Sequence, residues 1–575
     1  MENEKSIIKK IFLILTKKEK NYYYLYLLFL LIASIFQILG IGSIIPLTSI
    51  FLNNETDSQL VQHLRDIFNL SNEYNNFEII LVFTTITIIL SNIIFLLSAY
   101  LSTKINFRVE QNVRERLFKY YIKGNFSDFF KTDTSLLMNL IITETQRFSG
   151  QVLMPLADII SRLVVLLFMI VLLLFLVPFK ALISIGALIL FYIFLFNIIK
   201  GKITANNKAF TEKNKNLIKT TSDIFKSFRE IKIYGLESKF LSQIINTVKA
   251  IQKIKFFSVF IAVSPRFFLE ILIFLIIFFY FITIGDFSNN QQLSLLAMLG
   301  YSFFKILPTL QGIFTQTVVY NSHKNSVNEI YSKLTSIQEN YTDSENIFKN
   351  YQNGNFQNIK SIKLKNISFN YDKKEIFKNI DLEINKGEKI GLVGPTGTGK
   401  STLINIILGI LKPDSGSVFI NDTKINEKNL LNEIKNLVAI IPQSASLLED
   451  TILNNIILGD KFDKEKFNDV LKKSHVDDFV NSKNNSPNDQ IHGSGLNLSG
   501  GQLQRILIAR ALYKEPRILI IDEGFNQLDN ATEEKILKNI LSIKDLIIIV
   551  VYHNFMKKEI LDKVYSIKNS KLLKI

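Results

Sequence analysis

The stretch GPTGTGKST, Gly394 to Thr402, has the residue types and spacing of a phosphate-binding loop. Gly394, Gly397 and Gly399 let a backbone curl until its N–H groups face phosphate oxygens. Lys400 can reach β- and γ-phosphates, and Ser401 offers a hydroxyl to Mg2+. The pattern G-x-x-x-x-G-K-[ST] runs from Gly394 to Ser401, between an apolar stretch that reads as a strand and one that reads as a helix, which is the context it requires. Pro395, Thr396, Thr398 and Thr402 complete the loop. A second glycine-rich stretch, LNLSGGQLQR at 496–505, also has the composition of a phosphate cradle, in Ser499, Gly500, Gly501 and Gln502. Beyond it, RILIIDEG reads as an apolar strand that ends in Asp522 and Glu523. A carboxylate at such a strand end can hold Mg2+, and the next one is placed to take a proton from an attacking water.

These residues lie in a chain too long for one compact core. At 575 residues, two or more domains are expected. Hydrophobic residues make up 48% and mean hydropathy is +0.22. The chain has no cysteine, which excludes disulfides, Cys-ligated zinc and a cysteine nucleophile. A net charge of +16 raises nucleic acid as a partner. The uneven spread of charge favours another origin: the cytoplasmic loops of a membrane protein collect Lys and Arg. No nucleic-acid partner is expected.

The apolar runs lie in the first half. Residues 21–54 and 79–103 carry no charge. The run 163–199 is broken only by Lys180, after VPF, and reads as two helices joined by a tight turn. Residues 256–285 are apolar apart from Arg266 and Glu270, and 287–321 are mostly apolar with Lys305 inside. A helix needs about twenty apolar residues to cross a bilayer, so six crossings are expected. The N-terminal tail and the second-to-third and fourth-to-fifth connections are dense in Lys and Arg, while 53–76 has only Arg65. The positive-inside rule then puts both termini in the cytoplasm. Each basic connection is about fifty residues long and keeps helical patterning, so it reads as helix continued beyond the bilayer. On the other side, QLVQHLRDIFNL sets Leu60, Val61, Leu64, Ile67 and Phe68 on one face of a short helix. That face can lie along the membrane surface or pack on its own protein.

After Lys333 a polar stretch reads as a linker. The expected organisation is a membrane domain over 1–335, a linker over 336–357 and a nucleotide-binding domain over 358–575.

LSGGQ, Leu498 to Gln502, resembles the signature of ABC-transporter ATPase domains. The whole order resembles an exporter-type half-transporter: six helices, then one ATPase domain of the α/β P-loop NTPase class. The resemblance implies further roles. Tyr371 would stack on adenine. Gln443 would stand between Mg2+, water and the membrane domain. Asp529 would end the D-loop, and His553 would contact the γ-phosphate. It also implies two ATPase domains meeting head to tail, with Ser499–Gly501 of one capping the ATP held by Gly394–Thr402 of the other. A homodimer is the economical form, and a heterodimer stays open. Departures stand beside these matches: NQLD replaces the usual SALD, Asn554 follows His553, and IHGSGLN lacks a glutamate common in exporters.

The membrane half resembles bacterial flippases of lipid-linked oligosaccharides. That implies a polyprenyl-pyrophosphate-linked cargo, a bacterial cytoplasmic membrane and a cytoplasmic ATPase domain. Arg266 and Glu270, four apart on one helix face, either pair locally or face a cavity together with Lys305. Export of a peptide, lipid or multidrug-type molecule is the rival reading. An ATP-gated channel or regulator is the rival from another class.

Overall fold

The computed structural model describes the chain apart from residues 1, 45, 48–49, 51–58, 70–73, 124–133, 177–178, 285–289, 336–358, 372–373, 396, 425–433, 435, 444–446, 481–485, 493–497 and 553–559. Two compact units emerge, a helical one within residues 1–344 and an α/β one within 345–575. The expected linker lies outside the described residues.

The helical unit begins with α1 (Glu2–Ile14) and α2 (Lys17–Gly42). The break between them is a capping box. The Thr16 hydroxyl accepts from the Glu19 N–H, and the Glu19 carboxylate accepts from the Thr16 N–H at 2.7 Å. Next come α3 (Gln59–Phe68) and α4 (Asn76–Lys123). Residues 134–153 follow as short α turns alternating with π-helical turns at Asn139–Glu144 and Ser149–Leu153. They lead into α5 (Met154–Leu176), α6 (Phe179–Lys226), α7 (Phe228–Ile233), α8 (Glu237–Ile284) and α9 (Asn290–His323).

Helices α4, α6 and α8 are each 48 residues long. At 1.5 Å per residue such a helix measures about 72 Å, against a hydrocarbon core of about 30 Å. The expected continuation of membrane helices into the basic connections is therefore built as continuous helix. By length and composition, Lys17–Gly42, Asn76–Ile122 and Thr134–Leu172 suffice to cross a membrane among the described residues. The remaining apolar runs of the sequence fall within α6, α8 and α9.

Close approach joins α2 to α4. A Cβ added at Gly40 would lie 2.9 Å from Ile88 Cγ1, and the Ser91 hydroxyl donates to the Ala33 carbonyl at 3.1 Å. The extended ends share a core in which Leu117, Phe148, Val152, Val327 and Ile330 are fully buried. Helix α3 divides its apolar face. Val61 and Leu64 pack with Ile79 and Ile80, while Ile67 and Phe68 remain exposed.

The α/β unit holds ten strands among its described residues: β1 (Ser361–Tyr371), β2 (Lys374–Asn385), β3 (Lys389–Val393), β4 (Ser415–Ile420), β5 (Thr423–Lys424), β6 (Val438–Ile441), β7 (Ile518–Asp522), β8 (Ile547–Tyr552), β9 (Lys563–Lys568) and β10 (Lys571–Lys574). One sheet is antiparallel in the order β2-β1-β4-β5. The other runs β10-β9-β3-β8-β7-β6, parallel from β9 to β6. Strands β7 and β8 are near-continuous apolar runs because both faces are covered. Ile518 and Ile520 enter one core and Leu519 and Ile521 the other; Ile547, Ile549 and Val551 alternate in the same way with Ile548 and Val550. Each of these side chains contributes roughly 1.5–3 kcal/mol by burial. The run ends at Asp522, so the first polar side chain of β7 stands at the edge of both cores.

The helices of this unit are α10 (Lys400–Ile407), α11 (Ile452–Ile457), α12 (Lys464–Lys473), α13 (Asp477–Val480), α14 (Gly500–Tyr513) and α15 (Asn530–Leu541).

Candidate nucleotide-binding site

Strand β3 delivers the chain into the glycine loop, and α10 takes it out. Gly397 and Gly399 have φ of +83° and +103°. At Gly399 no side chain fits: a Cβ would lie 2.7 Å from Ile376 Cγ2 and 2.9 Å from Phe377 Cζ. Gly399 therefore packs directly on β2 of the antiparallel sheet. Lys400 is buried, and its ammonium donates to the carbonyls of Gly394 at 2.7 Å and Pro395 at 3.0 Å. Burial lowers its pKa, and the carboxylates of Glu523 and Asp522 oppose that shift. A cation so placed can exchange loop carbonyls for phosphate oxygens with little movement. The Thr398 hydroxyl donates to the Pro395 carbonyl at 2.9 Å, closing the loop on itself.

Ser401 opens α10, and its hydroxyl donates to Asp522 Oδ2 at 3.3 Å. Two hard oxygen donors thus converge from β7 and α10. That donor set fits Mg2+, which takes oxygen ligands and keeps several waters. Glu523 follows in the left-handed backbone region, with φ of +53°. Its Oε2 accepts from Gln443 Nε2 at 2.6 Å and from Asn526 Nδ2 at 3.2 Å. The structure so brings together Lys400, Ser401, Gln443, Asp522 and Glu523. Thr402 is buried one residue further along α10.

The second glycine stretch is the start of α14. Ser499 caps this helix: its hydroxyl accepts from the Gln502 N–H at 3.2 Å, and the Gln502 side chain accepts from the Ser499 N–H at 2.9 Å. Gln502 is thus engaged in the cap. Gly500 and Gly501 leave room for the turn after Glu523. A Cβ at Gly500 would lie 2.5 Å from Gln527 Oε1, and one at Gly501 3.2 Å from the Gln527 carbonyl. The N-terminus of a 14-residue helix is electropositive and favours an anion. Asp529 caps α15 by accepting from the Thr532 N–H at 3.0 Å. Hydrogen bonds from Thr532 hold its pKa below the usual range. Tyr371 is half exposed at the end of β1, edge-on to Phe369 with centroids 4.9 Å apart. Thr396 and His553 lie outside the described residues.

Other groups had no sequence signal. Asn526 and Gln527 stood out only as departures from a motif. Arg510, within α14, donates through Nε to the Asn455 carbonyl at 2.8 Å and through a terminal nitrogen to Asn455 Oδ1 at 2.9 Å. Burial lowers the pKa of this guanidinium. Asn455 is fully buried and also holds the 448–451 loop. That pair fixes α14 against α11. Isolated Asn and Arg residues in amphipathic helices give no hint of such a partner.

In the helical unit, Arg266 Nε donates to Glu270 Oε1 at 2.7 Å, so these two form a local pair on α8. Lys305 is half-buried in α9. A third cation lies in this unit: Arg162 of α5 pairs with Asp158 at 2.9 Å and donates to the Pro308 carbonyl at 3.1 Å. In the sequence Arg162 precedes the apolar run by one residue, where a charge reads as the end of a span.

Comparison with known proteins gives a consistent picture. Residues 377–526 match the ABC transporter family, and residues 23–306 match the ABC transporter transmembrane region. A putative export ATP-binding/permease protein of Rickettsia bellii is 27% identical over 502 residues, 85% of this chain and 84% of that protein. A protein of the same description from Rickettsia typhi is 36% identical over 255 residues, where the match spans 43% of this chain and only 44% of that relative. An ATP-dependent lipid A-core flippase of Francisella tularensis is 28% identical over 363 residues, 61% of this chain and 58% of that one. A solved bacterial Atm1-family ABC exporter with ATP bound shares the fold, with a TM-score of 0.74 and 18% identity over 96% of this chain and 94% of that one.

Proposed function

The chain belongs to the ABC transporters, as an exporter-type membrane region joined to an ATPase domain, and from that premise we propose that its cargo is an amphipathic, lipid-linked molecule with an anionic head group. A polyprenyl-pyrophosphate-linked oligosaccharide fits this class best. In this reading 1–335 form the membrane domain and 358–575 the ATPase. The protein works as a homodimer in a bacterial cytoplasmic membrane, with both termini in the cytoplasm.

The positions of Lys400, Ser401, Asp522 and Glu523 support the following course of hydrolysis. The loop 394–402 and Lys400 hold the β- and γ-phosphates of ATP. Ser401 and Asp522 are the residues that would hold Mg2+, which when bound would neutralise charge on the phosphates. Glu523 takes the proton of a water attacking the γ-phosphorus, while the bond to the ADP oxygen breaks. Gln443 orients that water, His553 contacts the γ-phosphate, and Tyr371 stacks on adenine. Ser499–Gly501 of a partner copy cap the γ-phosphate, so ATP joins the two domains and hydrolysis parts them.

The observation that carries the cargo class is the pair of cations on the α5–α9 seam. Arg162 reaches Pro308, and Lys305 lies three residues before Pro308 on the same face of α9. A cation inside a membrane helix costs roughly 2.5–3.5 kcal/mol on insertion scales. Asp158 pairs with Arg162 on this seam at 2.9 Å. The ATP-dependent lipid A-core flippase among the relatives supports a lipid-linked cargo.

The test uses proteoliposomes loaded with a pyrophosphate-linked glycolipid. A flipped glycan becomes accessible to an added glycosidase. Wild-type protein is expected to expose it with ATP, and Arg162→Gln with Lys305→Gln to lose this while ATP binding persists. Full flipping by the double variant would overturn the anionic-cargo reading. No flipping of any lipid, with ATPase intact, would favour a channel or regulator.

A further inference from the structure

Two side-chain amides converge on one oxygen of the proposed base. Gln443 Nε2 stands 2.6 Å from Glu523 Oε2, and Asn526 Nδ2 stands 3.2 Å from the same atom. We infer that Asn526 is a positioning residue for hydrolysis, clamping the Glu523 carboxylate so that Oε1 is the oxygen presented to water. The inference rests on Glu523 being the base.

A carboxylate oxygen has two lone-pair directions, and an amide nitrogen fills one. With two donors, Oε2 is saturated, and rotation about the last side-chain bond would break both contacts. The carboxylate is thereby fixed in plane as well as in direction. Hydrogen bonds to an ionised group are among the stronger ones, so the two amides hold the carboxylate firmly.

The backbone supports this reading. Glu523 sits at φ of +53°, a left-handed conformation that an L-residue of this kind holds only where its surroundings impose it. The Asn526 N–H donates to the Glu523 carbonyl at 3.3 Å and closes the turn. Asn526 therefore acts on Glu523 twice, through the main chain and through the side chain. A side-chain substitution removes only the second contact. Gln527, next in the chain, anchors the same turn to α14, since its N–H donates to Gln504 Oε1 at 2.9 Å. The clamp thus hangs between the base and the signature helix.

The experiment measures steady-state hydrolysis and ATP affinity of the full-length protein in lipid nanodiscs. Asn526→Ala is expected to lower kcat roughly tenfold, the loss of one hydrogen bond to a charged group, with KM for ATP within about twofold of wild type. Asn526→Asp keeps the shape but sets a like charge against Oε2, and is expected to fall further, to roughly a hundredth of wild type. A packing role predicts the opposite order, because Asp is the closer fit. Combining Asn526→Ala with Gln443→Ala should give less than the product of the two losses, since both act on one atom. Asn526→Asp faster than Asn526→Ala, a loss carried by KM, or independent multiplying effects would each overturn the clamp. Glu523→Gln serves as the reference. If it is inactive while both Asn526 variants turn over like wild type, the clamp alone fails. If it hydrolyses ATP normally, the base assignment fails and the clamp with it.

Discussion

A methyl group added at Gly312 would stand 2.2 Å from the guanidinium carbon of Arg162. The absence of a side chain on α9 is what lets Arg162 reach Pro308. Gly312→Ala is therefore expected to displace the flexible end of Arg162 from Pro308 and to destabilise the helical unit by about 1 kcal/mol, the loss of that hydrogen bond. Thermal unfolding in detergent measures it. Combining Arg162→Ala with Gly312→Ala should cost less than the sum of the two single losses, because both remove the same contact. Strictly additive losses would show that the two residues do not meet.

Glu523→Gln should trap bound ATP. The substitution keeps the size of the side chain and removes its ability to take a proton. A fall of about 10²-fold or more in kcat is expected, with ATP affinity kept. Single-turnover hydrolysis beside equilibrium ATP binding separates the two quantities. Turnover near wild type would reject Glu523 as the base.

Lys400→Ala acts earlier in the cycle. The ammonium is buried among loop carbonyls and is placed to meet phosphate. Its loss should weaken ATP binding itself. Fluorescent-nucleotide titration is the measurement, and unchanged affinity with reduced turnover would contradict the placement of the loop. The lowered pKa of Lys400 adds a pH test. The cation that binds phosphate is the protonated form, so ATP affinity should weaken as pH rises through its folded pKa, below the pH at which an ordinary lysine titrates.

The phosphate loop, the Asp522–Glu523 strand end and the long membrane helices were legible because each has its own periodicity or spacing. Strand β7 shows why: its five apolar-to-acidic residues alternate between two cores and stop where the chemistry starts. What could not be read were contacts between residues far apart in sequence. Gln443 and Glu523 are eighty positions apart, and nothing near Gln443 announces its partner. Arg510 and Asn455 are fifty-five apart, joined by hydrogen bonds that no local pattern encodes. Arg162 was hidden differently. It borders an apolar run, where a charge reads as the end of a span rather than as part of one. The π-helical turns at 139–144 and 149–153 also gave no signal, because their composition is that of ordinary helix.

The sharing of sites between copies has a direct test in mixed dimers. Ser499 caps α14, and its side chain sits at the helix N-terminus where a partner's γ-phosphate would dock. Ser499→Arg should leave ATP binding to each isolated domain intact and block closure, because the longer side chain fills that space. Lys400→Ala disables the phosphate loop instead. Two differently tagged chains, one with each substitution, can be purified as a pair. With shared sites, both lesions fall in one composite site, formed by the Lys400→Ala loop and the Ser499→Arg cap. The other site is then wild type on both sides and should occlude one ATP per dimer. With each chain serving its own nucleotide, both sites carry a lesion and neither occludes ATP. Counting trapped nucleotide per purified mixed dimer separates one from none. A count of none, in dimers whose wild-type counterparts trap two, would rule out the head-to-tail arrangement.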